Sequence, residues 1–487
     1  MSESGRGLVA DAAWSNTAMT GNTAGATPTT NQSLNSPSFT GRSPSGVGDL
    51  SVETHGIAPV GPDKRYGSPA RLFTVWFAPQ VNMTGVFTGT LAIMLGLGFW
   101  LGLLAMVIGT VLGGLVVAYL STWGPRTGTA QLPSARLAFG SGVAVPAALQ
   151  WLSSIAWDAL VGLFGGQALA LLLDIPFWIA VLIVLAVQGA VGFIGYELIH
   201  RLQAVLTVVL FATFVVFAIN LVQGHQIVTP TTLSGADLAG AFVMEVTIAL
   251  SLTISWASYA ADFSRYLPVE SSRTRVFGYT FAGMVLAYVF VQGIGIAAAG
   301  VLGEHTAEGV RDVMGGGALG AVALLVIALA SVGSGVMNDY SGSLALQTLG
   351  VRVRRPISAV LVTVCAFFLI LWLQAADTAT RFTDVLLLIG YWIPAFVAVI
   401  GIDWILRTRS AGPLVDVAAA RTSRGDAVAA MVVFVVSYAA AVPFMNTTLI
   451  AGPVATAWHG ADIAYFVNFA VAAVLYGGYR YVSRARS

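Results

Sequence analysis

The sequence predicts an all-α integral membrane protein of twelve transmembrane helices, to which the interval between its polar spans adds a five-plus-five inverted repeat, leaving two more helices at the C-terminal end. Three observations predict it. The chain is 57% hydrophobic and only 9% charged, with mean hydropathy +0.82, whereas a soluble protein carries about 25% charged residues. Its apolar residues fall into runs of the length that a bilayer requires, about 20 residues each. Its arginines gather in alternate loops between those runs.

The spans read, in order, 72–95, 98–121, 144–171, 176–196, 202–223, 239–261, 277–302, 318–349, 357–375, 382–405, 427–446 and 462–482. The eighth is long enough to be tilted or to be two pieces. Twelve spans place both termini on one side, and positive charge selects that side. Arg65 and Arg71 precede span 1, Arg126 and Arg136 follow span 2, and Arg201 lies at the 4–5 turn. Arg265, Arg273 and Arg275 follow span 6; Arg352, Arg354 and Arg355 follow span 8; Arg407, Arg409, Arg421 and Arg424 follow span 10. Arg480, Arg484 and Arg486 end the chain, whereas the opposite loops hold only Arg311 and Arg381. Both termini are therefore expected in the cytoplasm, with the protein in the plasma (cytoplasmic) membrane.

Residues 1–65 contain no apolar run and are rich in Ser, Thr, Gly, Ala and Asn. No basic stretch leads into a short apolar one, so no cleavable signal is expected, and the segment reads as a disordered cytoplasmic tail. The expected divisions are this tail, a first repeat over 66–223, a second over 224–405, and two further helices over 406–487. Net charge is +1, which gives no reason to expect a nucleic-acid partner. The one cysteine, Cys365, sits in an apolar run; it permits no intrachain disulfide or cysteine metal cluster. The partners expected are the lipid bilayer and a small heterocyclic substrate, with a monomer as the working unit.

Polar groups inside a span are costly and mark function. Span 1 holds WFAPQVNMTG (76–85), with Pro79, Gln80 and Asn82. Span 3 holds SSIAWDALVGLFGGQ (153–167), with Trp157, Asp158 and Gln167. Span 6 holds Glu245 and SLTISWAS (251–258), with Trp256. Span 8 holds SVGSGVMNDYSGS (331–343), with Ser331, Ser334, Asn338 and Asp339. Spans 1 and 6 are five apart, as are 3 and 8. Carriers built from two inverted five-helix repeats show this interval, with their first helices broken at mid-membrane. Pro79 supplies a break in span 1 by removing a donor; in span 6 the break rests on Ser251, Thr253 and Ser255. At the end of span 6, Asp262 and Arg265 are spaced for a helical ion pair or for anchoring at lipid headgroups.

Two Trp rings, Trp157 and Trp256, can stack on both faces of a flat ring, although each alone also fits core packing or interface anchoring. The amides of Asn82 and Asn338 both donate and accept, matching the edge of a nucleobase or cyclic amide. Basic residues are not clustered inside the spans, which argues against a phosphorylated substrate.

At these residues the sequence resembles nucleobase–cation symporter family 1, in its purine–cytosine permease branch. SWASYAADFSRYLP (255–268) resembles the family's span 6 signature; AYLSTWGPRTG (118–128), GYELIHR (195–201) and YSGSLALQTLG (340–350) are similar to the same branch. The resemblance covers about 66–482. It implies a leucine-transporter-like fold and import of nucleobases or related rings with a cation, by alternating access. It implies that Trp157 and Trp256 sandwich the ring and that Asn338 bonds its edge, with Asn82 where a related hydantoin transporter has Gln. It also implies that the carbonyls of Ala78 and Val81 face a cation. Two positions depart from the family. Val161 stands one turn after Trp157 where members often have an amide. The span 8 positions of the adjacent hydroxyl pair used by sodium-coupled members are Val332 and Gly333, with Ser331 and Ser334 on either side. Ser334 is grouped with the substrate contacts and Ser331 with the cation contacts.

These departures favour H+ over Na+ as the coupling ion, which needs a titratable group in the membrane: Asp158, Asp339 or Glu245, each of which also fits a hydrogen-bonded place in the bundle. No cofactor and no firmly assigned metal site is expected. The alternative is the same fold carrying another heterocycle, a hydantoin, allantoin or B-type vitamin, with sodium; a passive facilitator is less favoured. A membrane enzyme is not expected, since HExxH, GxSxG with partners and nucleotide-binding loops are missing and the five histidines are scattered.

Overall fold

The computed structural model describes residues 56–194, 196–302, 306–351, 355–409 and 414–485, all within a unit spanning 44–487. Most of the expected tail, residues 1–55, lies outside the described residues. Eight helical stretches among those described are long and apolar enough to cross a membrane. The first predicted span is not one of them because it is two short helices. The last is not because Asn468, Arg480 and four tyrosines dilute its apolar character.

Span 1 comprises α1 (Arg71–Phe77), a tight turn over Ala78–Gln80, and α2 (Met83–Met94). Pro79 has no N–H to extend α1. Asn82 is extended (φ −144°, ψ 170°), and its side-chain oxygen accepts the Gly85 N–H at 2.9 Å, capping α2. There follow α3 (Gly98–Ser121), α4 (Ala144–Leu173), α5 (Phe177–Ile194) and α6 (Tyr196–Gly224). The helix of span 6, α7 (Gly235–Ile254), tightens into a 3-10 stretch over Ser255–Tyr259. Hydroxyls bond backward along this helix, from Thr253 to the Ala249 carbonyl and from Ser255 to the Leu252 carbonyl, each at 2.9 Å. Such bonds compete with the regular ladder, so the serine-rich run breaks span 6 without Gly or Pro.

Next come α8 (Arg273–Leu302), α9 (Gly317–Leu349) and α10 (Arg355–Ala375). The eighth span is one continuous helix of 33 residues. The tenth, read as a single run, is broken: α11 (Thr378–Gly390) ends before Tyr391 and Trp392, and α12 (Ile393–Thr408) begins after them, with Pro394 in its first turn. The chain closes with α13 (Arg424–Ala441) and α14 (Ala464–Ala485).

The helices sort into two packed groups. The span 1 helices, α3, α7 and α8 form one; α4, α5, α9 and α10 form the other, with α4 against α9 its most extensive contact. Inside the first group α2 and α8 meet backbone to backbone. A Cβ at Gly295 would lie 1.8 Å from the Val86 carbonyl oxygen, and one at Gly89 would lie 2.1 Å from that of Gln292. Small residues permit this approach. We predict that Gly295→Ala lowers stability by about 1–3 kcal/mol through overpacking. Gly300→Ala on the same helix, where a Cβ meets nothing within 4 Å, should leave the melting temperature of the detergent-solubilised protein unchanged. Equal midpoints for the two variants would refute this account.

Residues 56–66 pack rather than trail. Val60 N–H bonds to the Gly128 carbonyl at 2.8 Å and Tyr66 N–H to that of Tyr266 at 2.6 Å. This corrects the reading of Asp262 and Arg265 as headgroup anchors: they are only 2% and 0% exposed. Arg265 donates to the Gly56 carbonyl (2.7 Å) and the Tyr340 hydroxyl (2.8 Å), while Asp262 accepts the Gln131 N–H (2.8 Å). Residues of the N-terminal segment for Arg265, and of the 2–3 loop for Asp262, stand in for water and lipid.

At the opposite end, the C-terminal pair grips the break in span 10. Asp462 accepts from the Tyr391 hydroxyl and from the N–H groups of Asn446 and Ala464, the latter two at 2.9 Å. Asn468 donates to the Tyr391 carbonyl at 2.5 Å and the Tyr465 hydroxyl to the Leu387 carbonyl at 3.1 Å. Ser251 of α7 donates to the Leu386 carbonyl at 2.9 Å.

Candidate functional site: a cavity at the helix breaks

The irregular segments of spans 1 and 6 face α4 and α9 across a small cavity, with about 20 Å³ open to the centre of a water molecule. Breaks put it there: a turn that leaves the helical path opens room that a continuous helix would fill. Trp157 from α4 and Trp256 from the 3-10 stretch both line it, 8% and 7% exposed. Trp256 is fixed by its Nε1–H to the Tyr288 hydroxyl (2.8 Å) and by edge contact with Trp76, centroids 5.7 Å apart. Val161 lines the same wall one turn beyond Trp157, offering only apolar surface.

The polar lining is specific. Asn82, Ser334 and Asn338 all reach the cavity, but each is already bonded. Asn82 Nδ2 donates to the Pro79 carbonyl (2.6 Å) and to Ser334 Oγ (3.0 Å); Ser334 Oγ donates to the same carbonyl at 2.5 Å. Asn338 Nδ2 donates to the Ser154 carbonyl and to Asp158 Oδ1, both at 2.6 Å, and its Oδ1 accepts from the Tyr259 hydroxyl at 2.7 Å. Behind Tyr259, Gln150 donates to its hydroxyl and Ser258 donates to Gln150. A hydrogen-bonded chain therefore runs from span 6 through Asn338 to the buried carboxylate of Asp158, which is 1% exposed.

The remaining predicted residues lie further out. Ser331 turns to α4 and donates to the Val161 carbonyl at 3.0 Å. Asp339 accepts from Gln188 of α5 at 3.0 Å. The Ala78 carbonyl accepts the Val81 N–H at 3.1 Å, inside the turn of span 1. The Gly333 carbonyl accepts from Gln203 of α6 at 2.8 Å. Glu245 is fully buried in α7, with neither carboxylate oxygen bonded among the described residues, and it is not among the residues lining the cavity. Sequence reasoning did not single out Tyr259, Tyr288 or Gln80 as cavity residues. Tyr259, at the end of its 3-10 stretch, looks like an interface anchor, Tyr288 lies mid-helix like any core aromatic, and Gln80 was overshadowed by Asn82.

Three phenylalanines form a cap of packed rings, two of them three residues on from the cavity residues Thr84 and Val161. Phe87 of α2, Phe164 of α4 and Phe382 of α11 pack with centroids 5.1, 5.0 and 6.0 Å apart. A wider vestibule of about 400 Å³ is lined by Leu91, Met244, Thr383, Asp384 and Thr448, among others.

A cavity at paired helix breaks, inside a helical membrane fold, is how secondary permeases hold small molecules. The chain belongs to the family described as permease for cytosine/purines, uracil, thiamine, allantoin, which matches residues 59–468. It is a multi-pass membrane transporter, not an enzyme, as the resemblance in its sequence implied. The purine-cytosine permease fcyB of Emericella nidulans is 25% identical over 456 residues, covering 88% of each chain. The vitamin B6 transporter TPN1 of Saccharomyces cerevisiae is 23% identical over 376 residues, 72% of this chain and 65% of that protein. The fold matches Mhp1, a nucleobase-cation-symport-1 family transporter solved in a closed conformation with bromovinylhydantoin bound, with TM-score 0.71 and 18% identity over 89% of this chain and 97% of that one.

Proposed function

We propose that the protein imports a nucleobase, a purine or cytosine, by proton symport and alternating access across the plasma membrane. The single observation that carries this reading is that Trp157 and Trp256 line one cavity beside amide side chains. Such a chamber suits a flat ring with a hydrogen-bonding edge. The proposed architecture has twelve spans: repeats over 66–223 and 224–405, then two extra helices, with both termini cytoplasmic and a monomer as the working unit. On that orientation the phenylalanine cap and vestibule face outward, and residues 56–66 cover the inner end.

Proton coupling is supported by Asp158, one hydrogen bond from the cavity residue Asn338. The hydroxyl of Ser331 is directed to α4. The carbonyl of Gly333 already takes a donor from Gln203. Asp339 and Glu245 are the remaining carboxylates for this role; Ala78 and Val81 would serve a cation in the alternative. Val161 favours that second reading, a hydantoin, allantoin or B-type vitamin with sodium, because it adds no polar group to the wall.

Uptake into proteoliposomes tests both. Radiolabelled adenine or cytosine should accumulate above its outside concentration when an inward proton gradient is imposed, with or without sodium. Accumulation driven by sodium alone would overturn the proton. Accumulation of pyridoxine or allantoin in place of nucleobases would establish the alternative, and equilibration without accumulation would make the protein a facilitator.

A further inference from the structure

We infer that Gln80 reads the edge of the bound ring and sets its specificity, for rings that present a hydrogen-bond donor beside an acceptor. Gln80 lines the cavity from the turn of span 1 and is 1% exposed. Neither its Oε1 nor its Nε2 has a partner among the described residues. Buried polar groups are otherwise almost always paired, and leaving both ends of an amide unmade is costly. The other two amides of the cavity are spoken for. Both Nδ2 hydrogens of Asn82 are used, on Pro79 and Ser334, and its oxygen caps α2 through Gly85. Both Nδ2 hydrogens of Asn338 are used, on Ser154 and Asp158, and its oxygen holds Tyr259. Those two amides build the chamber, and Gln80 brings an unspent donor and acceptor to it.

A carboxamide matches an edge in which a donor and an acceptor stand side by side, as amides do on adenine. A ring nitrogen next to an exocyclic amino group fits, as in adenine and cytosine; so does a ring N–H next to a carbonyl, as in hypoxanthine. An edge stripped of its exocyclic group leaves half of the amide unmatched. The local cause is the proline: the Ala78–Gln80 turn leaves the helical path, so Gln80 is not obliged to follow helical spacing.

This inference rests on the reading of the cavity as a heterocycle site, and the test separates the two. Affinities of the purified protein are measured by calorimetry for adenine and for its analogue purine. The same measurements are made on Gln80→Met and Gln80→Glu, with the melting temperature of each unliganded protein. In the wild type the parent ring should bind on the order of 10- to 100-fold more tightly than its analogue lacking the amino group. In Gln80→Met that ratio should fall toward one, while the unliganded protein melts no lower, because two unpaired polar atoms have gone. Gln80→Glu, equal in shape but ionisable and without the amide donor, should lose the ratio as well. A ratio that survives in both variants overturns the role of Gln80 and leaves the heterocycle site standing. Equal binding of parent and analogue to the wild type also overturns it. Wild-type protein that binds no heterocycle overturns the cavity reading and this inference together.

Discussion

Trp157→Ala should weaken ring binding on the order of 10- to 100-fold, the equivalent of about 1–3 kcal/mol for one lost stacking face. Trp157 is the cleaner of the two tryptophans to remove. Trp256 is bonded to Tyr288 and packed edge-on against Trp76 and Tyr259, so Trp256→Ala removes structural contacts with the stacking face and should lower both affinity and melting temperature. Trp157→Phe keeps a smaller face and should fall between wild type and alanine. Ligand-induced thermal stabilisation reads all three, because a ligand that binds only the folded state raises its midpoint. If Trp157→Ala and Trp256→Ala both bound the ring normally, the sandwich would be wrong.

The second large effect belongs to Asp158→Asn. If Asp158 carries the coupling proton as proposed, proton and ring bind to linked places, and each tightens the other by the same factor. Apparent affinity should rise as pH falls, and one pH unit of gradient should support about tenfold accumulation. Asparagine keeps an oxygen for the Asn338 amide but cannot take up a proton. The variant should still exchange labelled for unlabelled substrate, with pH-independent affinity, yet a proton gradient should no longer concentrate the substrate. Asp339→Asn and Glu245→Gln, measured in parallel, should retain accumulation. Loss confined to either of them would move the proton site there.

The break in span 1 and the two tryptophans were legible because proline and mid-membrane indole are rare and have few causes. The state of the amides was not. Gln80 and Asn82 are two residues apart in a turn with no fixed period, and only the fold shows that Asn82 is consumed as a helix cap. The interruption of span 10 was missed for a related reason: Pro394 is harmless in the first turn of a helix, and 382–405 carries enough apolar residues to read straight through. Asp262 and Arg265 looked like surface charges because their partners, Gln131 for Asp262 and Gly56 for Arg265, lie in segments that the apolar runs do not reveal. The phenylalanine cap had no sequence signal, since phenylalanine inside a span is ordinary core.

The grip of the C-terminal pair on span 10 has a mechanical consequence. α11 carries Phe382 of the cap, yet along its length Asp384 takes two bonds from Thr448, Leu387 one from Tyr465, and Tyr391 is held by Asn468 and Asp462. Freeing α11 alone would sever these five bonds, a cost of roughly 5 kcal/mol at about 1 kcal/mol each. The cheaper motion carries the 446–451 hairpin and the start of α14 along with it. Any motion of α11 during transport would thus engage three chain segments, and cross-linking α14 to α12 should then slow transport as surely as cross-linking the phenylalanine cap.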